Sequence, residues 1–291
     1  MQFNSWEAGK NVNDGPIKMA KHIILNDADI VTMQEVATEE MAKEIHGALG
    51  AEWKMFYPYP SKVVTFSKHE IYNVSHTKLF CGHGVKIFVD EVNPIIVFNL
   101  QFDQAVFTAR EIASNGFDED LVELFEKNKK KPHSRYQNLK ELLADEFLEE
   151  SLHKVNVAPI IVAGDFHTPS HLDWIEATRK SHYNVVYEWP ITSILSQQTA
   201  LIDSYRFLHP NPLTDPGNTW STVEKFIDGS DGEIQEPQER IDYIFYRGRH
   251  LTPIESYTYP KKFEGELLPY VQDNDWPSDH YAVVTTFQLA V

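Results

Sequence analysis

The apolar, β-branched runs of this chain repeatedly end in the same few polar side chains. Phe3 is followed by Asn4, Ile30-Val31 leads to Gln34-Glu35, and Ile95-Ile96-Val97-Phe98 leads to Asn99 and Gln101. Ile160-Ile161-Val162-Ala163 leads through Gly164 to Asp165 and His167, Arg240-Ile241 leads to Asp242, and the pair Asp279-His280 precedes the last run. A single residue of this kind means little. Asn, Asp, Glu and His repeated at strand ends suggest one convergent polar site at one edge of the sheets. Carboxylates grouped with amide oxygens are hard ligands suited to Mg2+, which keeps most of its waters and takes only one or two protein carboxylates. The chemistry that suits such a set is that of phosphate esters.

The elements that must position these groups centre on Pro159–Trp174, PIIVAGDFHTPSHLDW. Its first half reads as a strand buried on both faces. Gly164 is expected to let the backbone leave the sheet, and Asp165 and His167, two apart on extended chain, then project to one side. The carboxyl ends of strands in α/β sheets are where ligands bind. The plainer alternative is that both side chains satisfy turn amides. Ser170 is placed as N-cap of a helix over His171–Lys180.

Elsewhere the pattern predicts strands at Gln2–Trp6, Asp29–Glu35, Ile95–Gln101, Arg240–Tyr246, Ile254–Thr258 and Tyr281–Leu289. Trp53–Tyr57, Val63–Phe66, Ile71–Thr77 and Val85–Val89 read as an antiparallel meander. Helices are expected after Pro16, from Thr38 as N-cap to Leu49, and in pieces over Ala105–Ala113 and Asp118–Lys127. Ser134–Glu150 has the clearest long helical spacing. Asp228–Glu239 reads as a solvated acidic loop. Strands outnumber helices, which implies two packed sheets with helices outside.

Composition bounds the function. With 291 residues and 42% hydrophobic content the chain can bury a large core, and nothing marks a break, so residues 1–291 read as one α/β domain. A net charge of −17 repels polyanions, and Lys127–Lys131, with Arg135 nearby, is the only basic run. Binding to duplex nucleic acid is therefore disfavoured. The single cysteine, Cys81, allows no intrachain disulfide, which tilts the reading towards a soluble cytoplasmic protein. The opening in mid-strand suggests a truncated N-terminus, and removal of a leader would equally fit secretion. No run is long enough to span a bilayer, and Asn73-Val74-Ser75 is a glycosylation sequon of the kind that arises by chance.

Taken in order, the motifs resemble the endonuclease/exonuclease/phosphatase superfamily, the fold of pancreatic deoxyribonuclease, abasic-site endonucleases, inositol polyphosphate 5-phosphatases and bacterial sphingomyelinases. Asn4 in FNSW, Glu35 in DIVTMQEV, GDFH at Gly164–His167, Thr219-Trp220-Ser221, RIDYIF at Arg240–Phe245 and SDH at Ser278–His280 carry the resemblance across the whole chain. PSHLDW and WPSDH resemble a little-characterised hydrolase-like branch. The resemblance implies a four-layer α/β/β/α sandwich of two mixed sheets that hydrolyses phosphomonoesters or phosphodiesters with Mg2+ or Mn2+. It implies that Glu35, Asn4 and Asp279 serve the metal and that Asp165 orients and deprotonates the attacking water. His280 paired with Asp242 would stabilise charge on the phosphoryl oxygens.

Two departures from the family pattern stand out. His167 replaces the usual Asn of GDFN, and Gln101 in NLQFD stands where the family often has His. Gln can donate a neutral hydrogen bond but cannot deliver a proton, so the catalytic set is expected to include His167 along with Asn99 and Gln101. The expected function is a metal-dependent phosphoesterase acting on a small molecule or a phospholipid headgroup. The alternatives are a nuclease and a degenerate phosphate-binding pseudoenzyme.

Overall fold

The computed structural model describes residues 1–290 except Ala105, Lys129–Lys131 and Asp228, and leaves the side chains of 73–75 undescribed. The sequon and most of the basic run therefore lie outside the described residues. Two six-stranded mixed sheets form the centre of the molecule. The first contains β1 (Gln2–Asn4), β2 (Ile30–Gln34), β3 (Lys54–Phe56), β4 (Val63–Ser67), β11 (Leu251–Tyr259) and β12 (Ala282–Leu289), in the order β11-β12-β1-β2-β4-β3. The second contains β5 (Glu70–Leu79), β6 (Gly82–Phe88), β7 (Pro94–Gln101), β8 (Ile160–Asp165), β9 (Ile202–Asp203) and β10 (Asp242–Arg247), in the order β5-β6-β7-β8-β10-β9. The expected meander is thus divided. β3 and β4 pair in one sheet, and the chain crosses after Ser67 to start the second with β5 and β6.

Period-two alternation places each layer. Phe3, Val31, Met33, Val64 and Phe66 face outward and pack under α1 (Gly15–Leu25) and α2 (Glu39–Leu49). Pro16 begins α1, and the Thr38 hydroxyl accepts the Met41 N–H to cap α2. On the other sheet Phe98, Leu100, Ile160, Val162 and Phe245 face α5 (Arg135–Leu143), α6 (Glu146–His153) and α7 (Pro190–Thr199). The result is the expected four-layer α/β/β/α sandwich. Between α2 and α5 the chain adds α3 (Thr108–Asn115) and α4 (Glu119–Glu126), and α8 (Ser204–Leu208) follows β9.

Three local expectations are corrected. Ser134–Glu150 is two helices, because the Asp145 carboxylate accepts the Leu148 N–H as an N-cap and also the Thr77 hydroxyl from β5, which breaks the run at Ala144. His171–Lys180 is not an α-helix. Ser170 Oγ accepts the Leu172 N–H in a tight turn, and only a 3-10 helix at Glu176–Ser181 follows. Gly164 does not release the chain from the sheet but pairs with Leu100 and Tyr243 within β8. A Cβ there would lie 2.0 Å from the Leu100 carbonyl oxygen, so only glycine permits this strand spacing.

The inward faces form a gradient. Val85, Val97, Ala163, Ile244 and Val283 make the apolar part of the space between the sheets. Towards one end the inward residues become Thr65, His83, Asn99, Gln34 and Gln2, all buried, and at the rim they become Asn4, Asp165 and Asp242.

Candidate active site

The rim is held by amide side chains that reach from one sheet to the other. Gln2 Nε2 donates to Gln34 Oε1 and to Asp242 Oδ1, both at 2.8 Å, and Asn4 Nδ2 donates to Asp165 Oδ2 at 2.8 Å. Gln34 Nε2 donates to Asn99 Oδ1 at 2.8 Å. Buried polar groups need partners, and each amide here supplies a donor to an acceptor on the facing sheet.

Asp165 and Asp242 are direct cross-strand partners in the antiparallel β8/β10 ladder, and each is matched with a histidine. Asp242 Oδ2 lies 2.8 Å from His280 Nδ1. Thr219 Oγ1 accepts the N–H groups of Ile241 and Asp242, which aligns the start of β10. His280 is set by its own motif: Ser278 Oγ donates to the Asn4 carbonyl and accepts the His280 N–H, while Trp276 stacks on Phe3 and donates to the His280 carbonyl. Burial works against a charged imidazole here, but Asp242, Asp279 and Asp165 outweigh it and hold the His280 pKa well above its ordinary value.

In the second pair His167 Nε2 lies 2.9 Å from Asp165 Oδ2, at ion-pair distance but off the line of a hydrogen bond. Asp165 Oδ1 accepts the His167 N–H at 3.0 Å. Burial pushes the Asp165 carboxyl up, yet His167 and then His280 hold it down at about 2. His167 has φ 49°, the left-handed region that Asn, Asp and His enter more readily than most residues. A histidine is therefore among the side chains that this turn accommodates. The two rings meet edge to face, with centroids 6.5 Å apart.

Glu35 follows β2 with φ 62°. Its Oε1 accepts Asn4 Nδ2 and Gln101 Nε2, each at 3.3 Å, and its Oε2 accepts the Glu7 N–H at 3.2 Å. These partners are neutral, so the carboxylate has no counter-charge among them. Asp279 is buried and its Oδ1 has no hydrogen-bond partner. Burial, with Glu35 and Glu224 adding to it, pushes the Asp279 carboxyl well up. An orphaned buried carboxylate oxygen beside Glu35 is what a hard divalent cation would satisfy, so these residues fit a metal. Asp165, Asp242 and His280 also bring ligand-type atoms within 4.8 Å of one another. Those atoms already engage each other, Gln2 and Asn4, which makes Glu35 and Asp279 the better fit.

Among the residues singled out from the sequence, Asn4, Glu35, Gln101, Asp165, His167, Asp242, Asp279 and His280 come together at the rim. Asn4 is there as a bridge, its amide donating to Glu35 and Asp165 while its oxygen accepts the Trp6 N–H. Asn99 does not reach the rim. It lies on the same face of β7 as Gln101 but one pleat deeper, where its amide donates to the Met33 and Val64 carbonyls and to Thr65. Sequence reasoning missed Gln2 and Gln34, whose signal was a buried-type amide two residues from, or next to, a chosen one. It also missed Arg110, Glu224 and Glu236, for which the sequence carries no local signal. Asp228–Glu239 is not simply solvated, since Glu236 and Glu239 are buried.

Of these groups Glu35, His167, Asp279 and His280 line a cleft of about 340 Å3, together with Trp6, Glu7, Phe107, Arg110, Trp220 and Glu224. The fold is matched by known proteins. The profile of the Endonuclease/Exonuclease/phosphatase family covers residues 1–280, and the chain belongs to that family. An uncharacterised protein from Caenorhabditis elegans is 33% identical over 290 residues, covering 99% of this chain and 90% of its own length. An endonuclease/exonuclease/phosphatase family protein from Leptotrichia buccalis shares the fold with a TM-score of 0.56 at 15% identity, covering 99% of this chain and 98% of its own. An AP endonuclease from Archaeoglobus fulgidus does so with a TM-score of 0.55 at 16% identity, covering 98% of this chain and 97% of its own.

Proposed function

We propose that this chain is a divalent-metal-dependent phosphoesterase that hydrolyses a small-molecule or lipid-linked phosphoester. The observation that carries the reading is the pair of Asp–His couples hung on one cross-strand pair, Asp165 and Asp242, next to Glu35 and the orphaned Asp279 oxygen. Glu35 and Asp279 are the residues that would hold Mg2+ or Mn2+, with Asn4 aligning Glu35. Such an ion, when bound, supplies positive charge against the phosphoryl oxygens.

The remaining roles belong to the chain itself. His280, kept cationic by Asp242, turns its other ring nitrogen to the cleft and offsets negative charge on a phosphoryl oxygen. Asp165, surrounded by donors and held ionised, is a weak base and acts by orienting water and fixing His167. The His167 imidazole is then the group able to exchange a proton with the attacking water or the departing oxygen. Gln101 supplies a neutral donor on the opposite side and steadies Glu35.

The test is phosphate or alcohol release from a panel of mono- and diesters with Mg2+, Mn2+, Ca2+ and chelator. Turnover that chelation abolishes is expected, and its absence across the panel would remove the phosphoesterase reading in favour of a phosphate-binding pseudoenzyme. A nuclease reading draws on the fold shared with the AP endonuclease. It is opposed by the net charge of −17. Efficient nicking of plasmid DNA at physiological salt would place it first.

A further inference from the structure

The cleft contains a side-chain latch that the hydrolytic chemistry does not use. Arg110 of α3 donates from Nε to both Glu236 oxygens, at 3.1 and 2.9 Å, and from Nη2 to Glu236 Oε1 at 2.7 Å and Glu224 Oε2 at 2.9 Å. Glu236, fully buried, also accepts Trp220 Nε1 at 2.8 Å. One guanidinium thus faces two carboxylates, and the latch carries a net negative charge. Arg110 is the only Lys or Arg lining the cleft among the described residues. The cation that phosphate recognition would ordinarily recruit is already engaged.

The same latch sets the aromatic wall. It ties α3, which follows Phe107, to the 220–239 segment, and the Phe107 and Trp220 rings meet edge to face at 6.3 Å. Trp220 in turn lies edge-on to His280, with centroids 4.9 Å apart. An aromatic corner of two rings set edge to face therefore begins directly beside the group assigned to the phosphoryl oxygens. Trp6 adds another ring to the lining, and Glu7 a carboxylate that Lys10 already pairs.

We infer that the cleft selects ligands with a single phosphate and a flat, uncharged outer group, and that the Arg110–Glu224–Glu236 latch excludes a second phosphate next to the first. Naming this ligand class rests on the phosphoesterase reading for the placement of the first phosphate. A neighbouring second phosphate would meet Glu224 and find no free cation among the described lining residues, and like charges brought together in a desolvated cleft repel strongly. A flat group would pack into the corner of Phe107 and Trp220, stacked on one ring and edge-on to the other.

Calorimetric titration of the full chain with Mg2+ tests this, using phenyl phosphate, ethyl phosphate and benzene-1,2-diyl bisphosphate. Phenyl phosphate is expected to bind about tenfold more tightly than the bisphosphate and about threefold to tenfold more tightly than ethyl phosphate. Glu224→Gln, which removes one carboxylate and loosens Arg110, should narrow the phenyl-to-bisphosphate ratio by about tenfold. Phe107→Ala should narrow the phenyl-to-ethyl ratio and leave the other unchanged. Equal or tighter binding of the bisphosphate, ratios unmoved by both substitutions, or no binding of any probe would overturn the inference. Turnover of the mono- and diester panel is followed in parallel: binding as described with no release across that panel would sink the phosphoesterase reading and leave this specificity standing.

Discussion

Two buried charge clusters begin two residues apart, at Arg240 and at Asp242, and they are built on opposite terms. Arg240 donates from Nε and Nη2 to Asp173 and from Nη1 to Asp203, and Arg206 donates to Asp173 and to the carbonyls of His209, Asp215 and Pro216. Two cations there meet two carboxylates, and Arg240 also lies over the Tyr243 ring. The Asp242 cluster gathers Asp165, Asp242, Glu35 and Asp279 around His280 and His167 and leaves Asp279 Oδ1 without a hydrogen bond, with His280 Nε2 4.0 Å away. A balanced cluster is closed to ligands and holds segments together. An unbalanced one is kept in place by the rest of the fold and waits for positive charge. The comparison also explains PSHLDW: its Asp173 joins the turn after β8 to Arg240 just before β10.

Breaking the balanced cluster should have the largest effect on stability. Arg240→Met leaves Asp173 and Asp203 buried with one cation between them, so denaturant unfolding should show a loss of about 3–5 kcal/mol. A loss below about 1 kcal/mol would mean that the cluster is no clamp. Asp242→Asn tests the opposite character of its neighbour. Turnover should fall by about 10²–10³ as the support for cationic His280 is lost, while denaturant stability changes far less than in Arg240→Met. Comparable destabilisation by both would erase the distinction.

Glu35→Gln sharpens the contrast at the metal. It removes a charge with little change in volume, so calorimetric Mg2+ binding should disappear while the melting temperature of the metal-free protein stays close to that of the parent. Unaltered affinity would move the metal away from Glu35. His167→Asn keeps a residue suited to the left-handed backbone and deletes the imidazole, so turnover should fall on the order of 10². A gain of turnover would instead show that the histidine restrains the site.

A last contrast, in pH dependence, concerns Glu239, which is buried against Trp174 Nε1 at 3.0 Å. Burial pushes its carboxyl up to about 8 from 4.5. Between those values the folded state holds a proton that the unfolded state releases, so this residue makes stability fall as pH rises, by at most about 1.4 kcal/mol per unit. Glu239→Gln should flatten that part of the stability profile from pH 5 to 8. Parallel profiles for parent and variant would show that Glu239 is ionised throughout.

How much of this was legible depends on how far apart the cooperating residues lie. Alternation within a strand and capping at a helix start are short-range rules, so the Thr38 cap and the outward apolar faces follow from neighbouring residues alone, whereas His167 meets Asp165 through a left-handed turn past the end of β8 and not through extended alternation. The recurrence of polar strand ends likewise exposed Glu35, Asp242 and His280 without any knowledge of the pairing, because a buried-type run can turn polar only where it leaves the core or serves a site. Depth was not legible. Asn99 and Gln101 look equivalent along the chain, yet one pleat puts Asn99 under Gln34 and Thr65 and leaves Gln101 at Glu35. Helix continuity was also undecided, since Thr77 on a distant strand turns Asp145 into a cap, and Arg206 and Arg240 draw Asp173 out of what would otherwise pass for a helix. Residue types and local periods therefore determined which polar side chains gather at the rim and which faces are buried. Packing alone decided which charges are neutralised, because a carboxylate's partner can come from any part of the chain and only the folded layers bring Arg110 to Glu236 or leave Asp279 Oδ1 without a hydrogen bond.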